Sequence, residues 1–224
     1  MRGRLPLGDL PLILFMKVLA LDASTHAGWF FLEGEPGDLK PKILDHGLIE
    51  NEGTIKTFGD YPWSYVHAAT NIANQLADLV TRFTPDVVVV EETNLGRARY
   101  SQKILEFIHL SLLCQIMAVK VIYISSSVWR QTIGLSLSRE DKKNNNKIYR
   151  AKKFARETGF SLAESKTRLG LKGKGKINKK HVAVRYANEL YPELKFKVKD
   201  NDRADALCLG LAYFRGAESC NGEW

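Results

Sequence analysis

The chain has 224 residues, 45% hydrophobic and 26% charged, with 33 Lys or Arg against 25 Asp or Glu and a net charge of +8. That length suits one domain with room for a core, and that balance excludes a disordered or fibrous chain. The three cysteines, Cys114, Cys208 and Cys220, are odd in number and lack C-x-x-C spacing, which argues against zinc. Cys114 and Cys208 fall in apolar helical patterns, so they read as reduced core thiols of a cytosolic protein.

Residues 1–15 carry Arg2 and Arg4 and then an apolar run, a loose imitation of a signal peptide interrupted by Pro6, Asp9 and Pro11. No small-residue cleavage site follows. Residues 1–15 are therefore read as a disordered extension or an upstream start, with Met16 the functional beginning. No segment is long and apolar enough to span a membrane. A single domain is expected over residues 16–215, with a tail at 216–224.

Residues 17–21, 28–32 and 42–49 predict a three-stranded antiparallel meander, with Gly34, Pro36, Gly37 and Asp38 in a turn. A helix is predicted over 64–83, with Ile72, Leu76, Leu79 and Val80 on one face, and Pro85 stops it. The run from Val87 to Val90 reads as a strand buried on both faces, and it ends in Glu91 and Glu92. A second helix is predicted over 101–117. Its apolar positions, Ile104, Leu105, Ile108, Leu112, Leu113 and Ile116, cover more than one stripe, which points to a dimer seam there; burial within one monomer is the plainer alternative. A strand over 119–124, a helix over 179–190 and a last helix after Asp202 complete the series. The order βββ-α-β-α-β-α-α predicts an α/β, ribonuclease H-like fold: a mixed five-stranded sheet with helices on both faces.

Charge is uneven. Residues 139–180 hold fifteen Lys or Arg and four Asp or Glu, a net of +11, whereas the rest of the chain nets −3. The chain is thus a near-neutral domain bearing one basic segment. With Asn144-Asn145-Asn146 and a Gly-Lys repeat, residues 139–178 read as a flexible basic insertion that grips phosphates and orders on DNA, with Lys172, Lys174, Lys176, Lys179 and Lys180 as DNA-binding candidates. A merely solvated loop is the alternative.

Carboxylates collect at the edges of the apolar scaffold: Asp22 ends the first strand, Glu91 the fourth, and Asp202 and Asp205 open the last helix. A core expels such groups unless they find partners. Asp202 and Asp205, three apart, share a helix face, and Glu91 and Glu92 point to opposite faces of their strand. Singly, Asp22 can begin a turn and Asp202 can cap a helix. Together the four suit a divalent-metal site facing a polyanion, hence a nuclease: two-metal phosphodiester hydrolysis draws its ligands from several elements.

Leu19-Ala20-Leu21-Asp22-Ala23-Ser24, Val88-Val89-Val90-Glu91 and Asp202-Arg203-Ala204-Asp205-Ala206-Leu207 resemble, in order and approximate spacing, the RuvC-type Holliday junction resolvases, in particular their bacteriophage branch. The D-x-x-D-A-L opening is the most specific of the three. The resemblance spans residues 16–214. It implies that Asp22, Glu91, Asp202 and Asp205 bind two Mg²⁺ ions, with Mn²⁺ substituting, in a homodimer that nicks four-way DNA junctions symmetrically, in the host cytoplasm if the chain is of phage origin. It also implies that Arg130, in Val128-Trp129-Arg130-Gln131-Thr132-Ile133-Gly134, reaches the DNA backbone. A catalytic lysine opens the family's next helix; Lys179 aligns best, and a shift of one residue brings Lys180 there instead. Bacterial members carry an aromatic wedge shortly after the catalytic Glu. Thr93-Asn94-Leu95 stands there in this chain, with Tyr100 the candidate substitute.

Three other readings compete. One is a ribonuclease H-like nuclease acting on flaps, forks or RNA–DNA hybrids, separable by a substrate panel. The second is a non-catalytic protein that binds branched DNA, which four retained carboxylates disfavour. The third, an actin-like small-molecule kinase, lacks its Gly-rich phosphate loop after Asp22.

Overall fold

The computed structural model describes residues 15–50, 59–92, 99–171 and 175–217. Expectations for residues 1–14, Thr93-Asn94-Leu95, the Tyr100 side chain, Lys172, Lys174, Cys220 and the tail beyond Ala217 lie outside the described residues.

Five strands, β1 (Met16–Asp22), β2 (His26–Gly34), β3 (Lys42–Glu50), β4 (Val87–Glu91) and β5 (Lys120–Ile124), form one sheet in the order β3-β2-β1-β4-β5. β1, β2 and β3 pair antiparallel, and β1-β4 and β4-β5 pair parallel. This is the ribonuclease H-like layout the sequence predicts. β1 sits centrally because Val18, Leu19, Ala20 and Leu21 are apolar on both faces, which only a sheet covered on both sides can bury. Alternation then sorts the side chains. Leu19, Leu21, Val88 and Val90 meet α1 (Trp63–Phe83) and α2 (Arg99–Gln115), whereas Val18, Val87 and Val89 share a core with α6 (Lys179–Leu190) and α7 (Asn201–Phe214). Among the described residues no helix is long and apolar enough to cross a membrane.

α7 is buried without a break from Ala204 to Ala212. It lies close on the sheet because two glycines let it. A Cβ on Gly28 would meet the Asp202 carbonyl oxygen at 2.2 Å, and one on Gly210 would meet Leu32 Cδ1 at 2.6 Å.

Three expectations are corrected. The window read as a flexible insertion folds into α4 (Arg139–Thr158) and α5 (Leu162–Arg168), after a short α3 (Ser126–Thr132) that the sequence reading also missed. Reciprocal capping boxes start the two later helices, Ser138 with Asp141 and Ser161 with Glu164, and left-handed Gly159 (φ 74°) ends α4. The asparagine triplet sits inside α4 and acts as a clamp: Asn145 Nδ2 donates to Ile177 O (2.7 Å) and its Oδ1 accepts from Ile177 N (2.9 Å), while Asn144 donates to Gly175 O (3.1 Å). Arg185 of α6 grips Asp141 at 2.8 Å, and Ile148, Ala151 and Leu171 make a small core of their own.

The second correction concerns Cys114, which is exposed on α2; Cys208 is the buried thiol. The third divides α2 into two faces. Ile104, Ile108, Leu112 and Ile116 are buried within the monomer, Leu105 and Leu113 are partly covered, and Leu110 and Met117 stand out at 61% and 82% exposure. The monomer therefore buries one apolar stripe of the helix and leaves Leu110, with Met117 just past the helix end, uncovered.

Candidate active site

Strand register brings the first two carboxylates together. Leu21 pairs with Val90 in the parallel β1-β4 ladder, so Asp22 and Glu91 leave adjacent strands at the same level. Both share the parity of the residues that face α7, and Glu92 has the opposite parity, as the sequence indicates. Gly28, the β2 partner of Asp22, receives the first turn of α7, which carries Asp202 and Asp205 over the same strand ends. A glycine on β2 thus makes room for the carboxylates of a helix more than 170 residues later in the chain.

Electrostatics record the convergence. Burial first, then Glu91, Asp205 and Asp202, push the Asp22 carboxyl well above its ordinary value, and Lys180 opposes them. Burial also raises Glu91, against the pull of Arg130, the Trp129 hydrogen bond and Lys180. Asp205 is raised to about 7 by burial, with Glu91 and Asp202 adding to it against Arg130 and Lys180.

The cations that answer these charges are specific. Arg130 Nη2 donates to Asp205 Oδ2 at 3.3 Å, with the two side chains 14% and 6% exposed. Lys180 Nζ donates to Asp202 Oδ1 at 3.3 Å from a half-exposed position. Trp129 Nε1 donates to Glu91 Oε2 at 3.1 Å.

Two sequence assignments therefore shift. Of the two candidate lysines, Lys180 reaches the carboxylates; Lys179 is exposed and takes no part in the described contacts with them. Helical geometry is the reason, since neighbouring residues point about 100° apart and α6 turns only one of them inward. Arg130, assigned by resemblance to the DNA backbone, lies inside the carboxylate group and not on an open surface. Of the basic candidates in the described loop before α6, Lys176 is exposed and takes no part in the described contacts with the carboxylates.

Sequence reading missed the residues that brace the site. His109 of α2 is buried, its Nε2 3.0 Å from the Ala23 carbonyl just past Asp22. A carbonyl only accepts, so Nε2 carries the hydrogen and Nδ1 accepts from the Tyr123 hydroxyl at 3.3 Å. Burial lowers the pKa of this imidazole, which favours its neutral form, against the hydrogen bond to Ala23. Arg203, between the two α7 acids, donates to His46 Nδ1 at 2.7 Å and lies 4.8 Å above the Phe196 ring. Neither histidine stands in a recognisable motif; only the fold brings them there.

No three acidic, histidine or cysteine side chains among the described residues are gathered into a finished cage for an ion. The donor set nonetheless fits one. Asp205 Oδ1 is buried with no hydrogen-bond partner, an oxygen with an unused lone pair. Carboxylate oxygens are the ligands a hard divalent cation takes.

A pH dependence follows. A free aspartate titrates near 3.8 and Asp205 near 7, so between those values the folded chain holds a proton that the unfolded chain has lost. The metal-free protein is expected to lose stability as pH rises from about 4 to about 7, and the raised Asp22 and Glu91 act in the same sense. Asp141, lowered to about 2 by Arg185 and Ser138, contributes stability above pH 4 that is lost only as pH falls from there through about 2, outside that window. Melting temperature in EDTA should decline from pH 4 to 7, and Asp205→Asn should flatten the decline. A level wild-type profile would contradict this assignment.

The chain matches no protein-family model and no curated protein. Among solved structures it is similar to RuvC of Thermus thermophilus in complex with a Holliday junction substrate, at 17% identity over 89% of this chain and 93% of that one (TM-score 0.47). It is also similar to the yeast mitochondrial Holliday junction resolvase Ydc2, at 13% identity over 92% and 81% (TM-score 0.49). A third is the Fowlpox virus resolvase with Holliday junction DNA, at 14% over 89% and 97% (TM-score 0.43). With TM-scores below 0.5 these are likenesses only.

Proposed function

We propose that the chain is a metal-dependent, structure-specific DNA endonuclease that resolves four-way junctions. The observation that carries the hydrolytic part is the meeting of Asp22, Glu91, Asp202 and Asp205 at one end of the sheet, with an orphaned oxygen on Asp205. Mg²⁺, two ions per site with Mn²⁺ as a substitute, would be held by these four side chains. When bound, such ions activate water and stabilise a leaving oxygen. Lys180 is placed to offset charge on a phosphate brought to Asp202. The four-way junction as substrate is supported by the sequence resemblance of the three acidic motifs.

Nucleic acid is proposed to lie along α4. Lys142, Lys152, Lys153 and Arg156 fall within one or two turns of Tyr149 on one helical face, all of them exposed, and Tyr149 is 71% exposed. An aromatic ring among cations suits a phosphate backbone with accessible bases. Replacing Lys142, Lys152 and Arg156 together by Gln should lower the slope of log affinity against log salt by about 0.9 for each phosphate no longer neutralised. Mn²⁺ binding should be unchanged, since none of the four carboxylates lies on α4. An unaltered slope would remove α4 from the interface.

Two copies, joined at the exposed Leu110 of α2 and at Met117 just beyond its end, would supply the two sites that paired nicks require. The deciding experiment incubates the full chain with a synthetic four-way junction and a matched linear duplex, in Mg²⁺ or EDTA. Symmetric nicks on opposing strands, in Mg²⁺ only, support the reading. Equal cutting of flaps or hybrids moves the chain to a broader nuclease class, and binding without cleavage in any metal defeats the enzymatic reading.

A further inference from the structure

Trp129 and Arg130 are consecutive residues of α3, and each takes one oxygen of a different carboxylate. Fully buried Trp129 holds Glu91 by Oε2, and Arg130 holds Asp205 by Oδ2. Arg130 is itself fixed on two further sides. Its guanidinium carbon lies 4.0 Å from the centre of the Trp129 ring, and Nη1 donates to Ser126 O at 3.2 Å. The α3 start is secured in turn by Ser125, whose hydroxyl accepts from Val128 N. A single short helix therefore grips the end of β4 and the first turn of α7 at once.

We propose that Trp129 and Arg130 are positioning residues that set the rotation of Glu91 and Asp205, so that the oxygen each leaves unengaged faces a divalent cation. This rests on the metal-dependent reading above. A carboxylate on a free side chain must give up rotational freedom to bind an ion; one already held by its other oxygen gives up little. The orphaned, buried Asp205 Oδ1 is the oxygen such a device leaves over. Arg130 is too enclosed to act first on DNA, and a lysine there would keep the charge but lose the planar contact with the indole.

The test separates positioning from simple charge. If Arg130 acted only as a cation beside the site, removing it would tighten binding of a second cation. If it positions Asp205, removing it weakens that binding. Mn²⁺ affinity of the full chain, free of DNA, is measured by calorimetry for wild type, Trp129→Phe, Arg130→Met and Arg130→Lys, with melting temperature in EDTA recorded beside it. The expected result is a 10- to 100-fold weaker affinity, a size estimated from other residues that orient metal ligands, for both Trp129→Phe and Arg130→Met, with partial recovery in Arg130→Lys. Should Trp129→Phe not fold, Arg130→Met decides alone by the sign of its change. Tighter or unchanged Mn²⁺ binding by a folded Arg130→Met protein overturns the proposal and leaves the metal site standing. A wild-type chain that binds no Mn²⁺ overturns the metal site and this proposal together.

Discussion

Asp22→Asn and Glu91→Gln are each expected to abolish junction cleavage while leaving junction binding intact or tighter. Both residues end strands whose apolar parts already hold the sheet, so neither amide should unfold the chain. On the proposed reading, each substitution removes an anionic ligand from the place where phosphate charge would be handled. Lewis-acid stabilisation is worth several kcal/mol, and each ~1.4 kcal/mol is tenfold in rate, so the loss should be on the order of a thousandfold or more. Binding should persist because one less negative charge faces the DNA. Gel-shift and single-turnover cleavage on the same junction check this, and parallel loss of binding and cleavage in a folded variant would refute it.

Gly28→Ala should be nearly as damaging without altering any charged group. The added methyl would meet three backbone atoms of the next layer, Asp202 O at 2.2 Å, Asp202 C at 2.4 Å and Arg203 N at 2.7 Å. Backbone cannot rotate aside as a side-chain tip can, so the first turn of α7 must lift. Overpacking of this kind costs about 1–3 kcal/mol. A shift of about 1 Å in Asp202 and Asp205 would cost on the order of a hundredfold in rate. Reduced turnover with near-normal DNA affinity is the expected signature; a Gly28→Ala protein with wild-type turnover would show that α7 can yield without moving its acids.

The sheet and the four carboxylates were legible because their signals are local and strong. Val87 to Val90 has nowhere to go but a strand covered on both faces, and Asp202-x-x-Asp205 at the head of an apolar helix fixes both acids to one side. α4 was not legible by periodicity, since only Asp141, Ile148 and Ala151 of its 20 residues are buried. The signals for α4 and α5 were the caps: Ser138 three residues before Asp141 and Gly159 for α4, and Ser161 three before Glu164 for α5. Asparagines that look like loop residues in sequence proved to be a side-chain clamp on a neighbouring segment. Partners such as His109 to Ala23, 86 residues apart, and Arg203 to His46, 157 apart, leave no trace in spacing.

Helix α6 works as a ruler. Near its first turn Lys180 touches Asp202, and five residues on Arg185 holds Asp141 at the foot of α4. At ~1.5 Å per residue the two grips are separated by about 7–8 Å along one rigid axis. On the proposed reading, DNA seated on α4 would meet the carboxylates at an offset set by the rise of this helix. The position of the cut would be measured from the surface that holds the strand, and lengthening α6 between its two grips would displace the nick along the backbone.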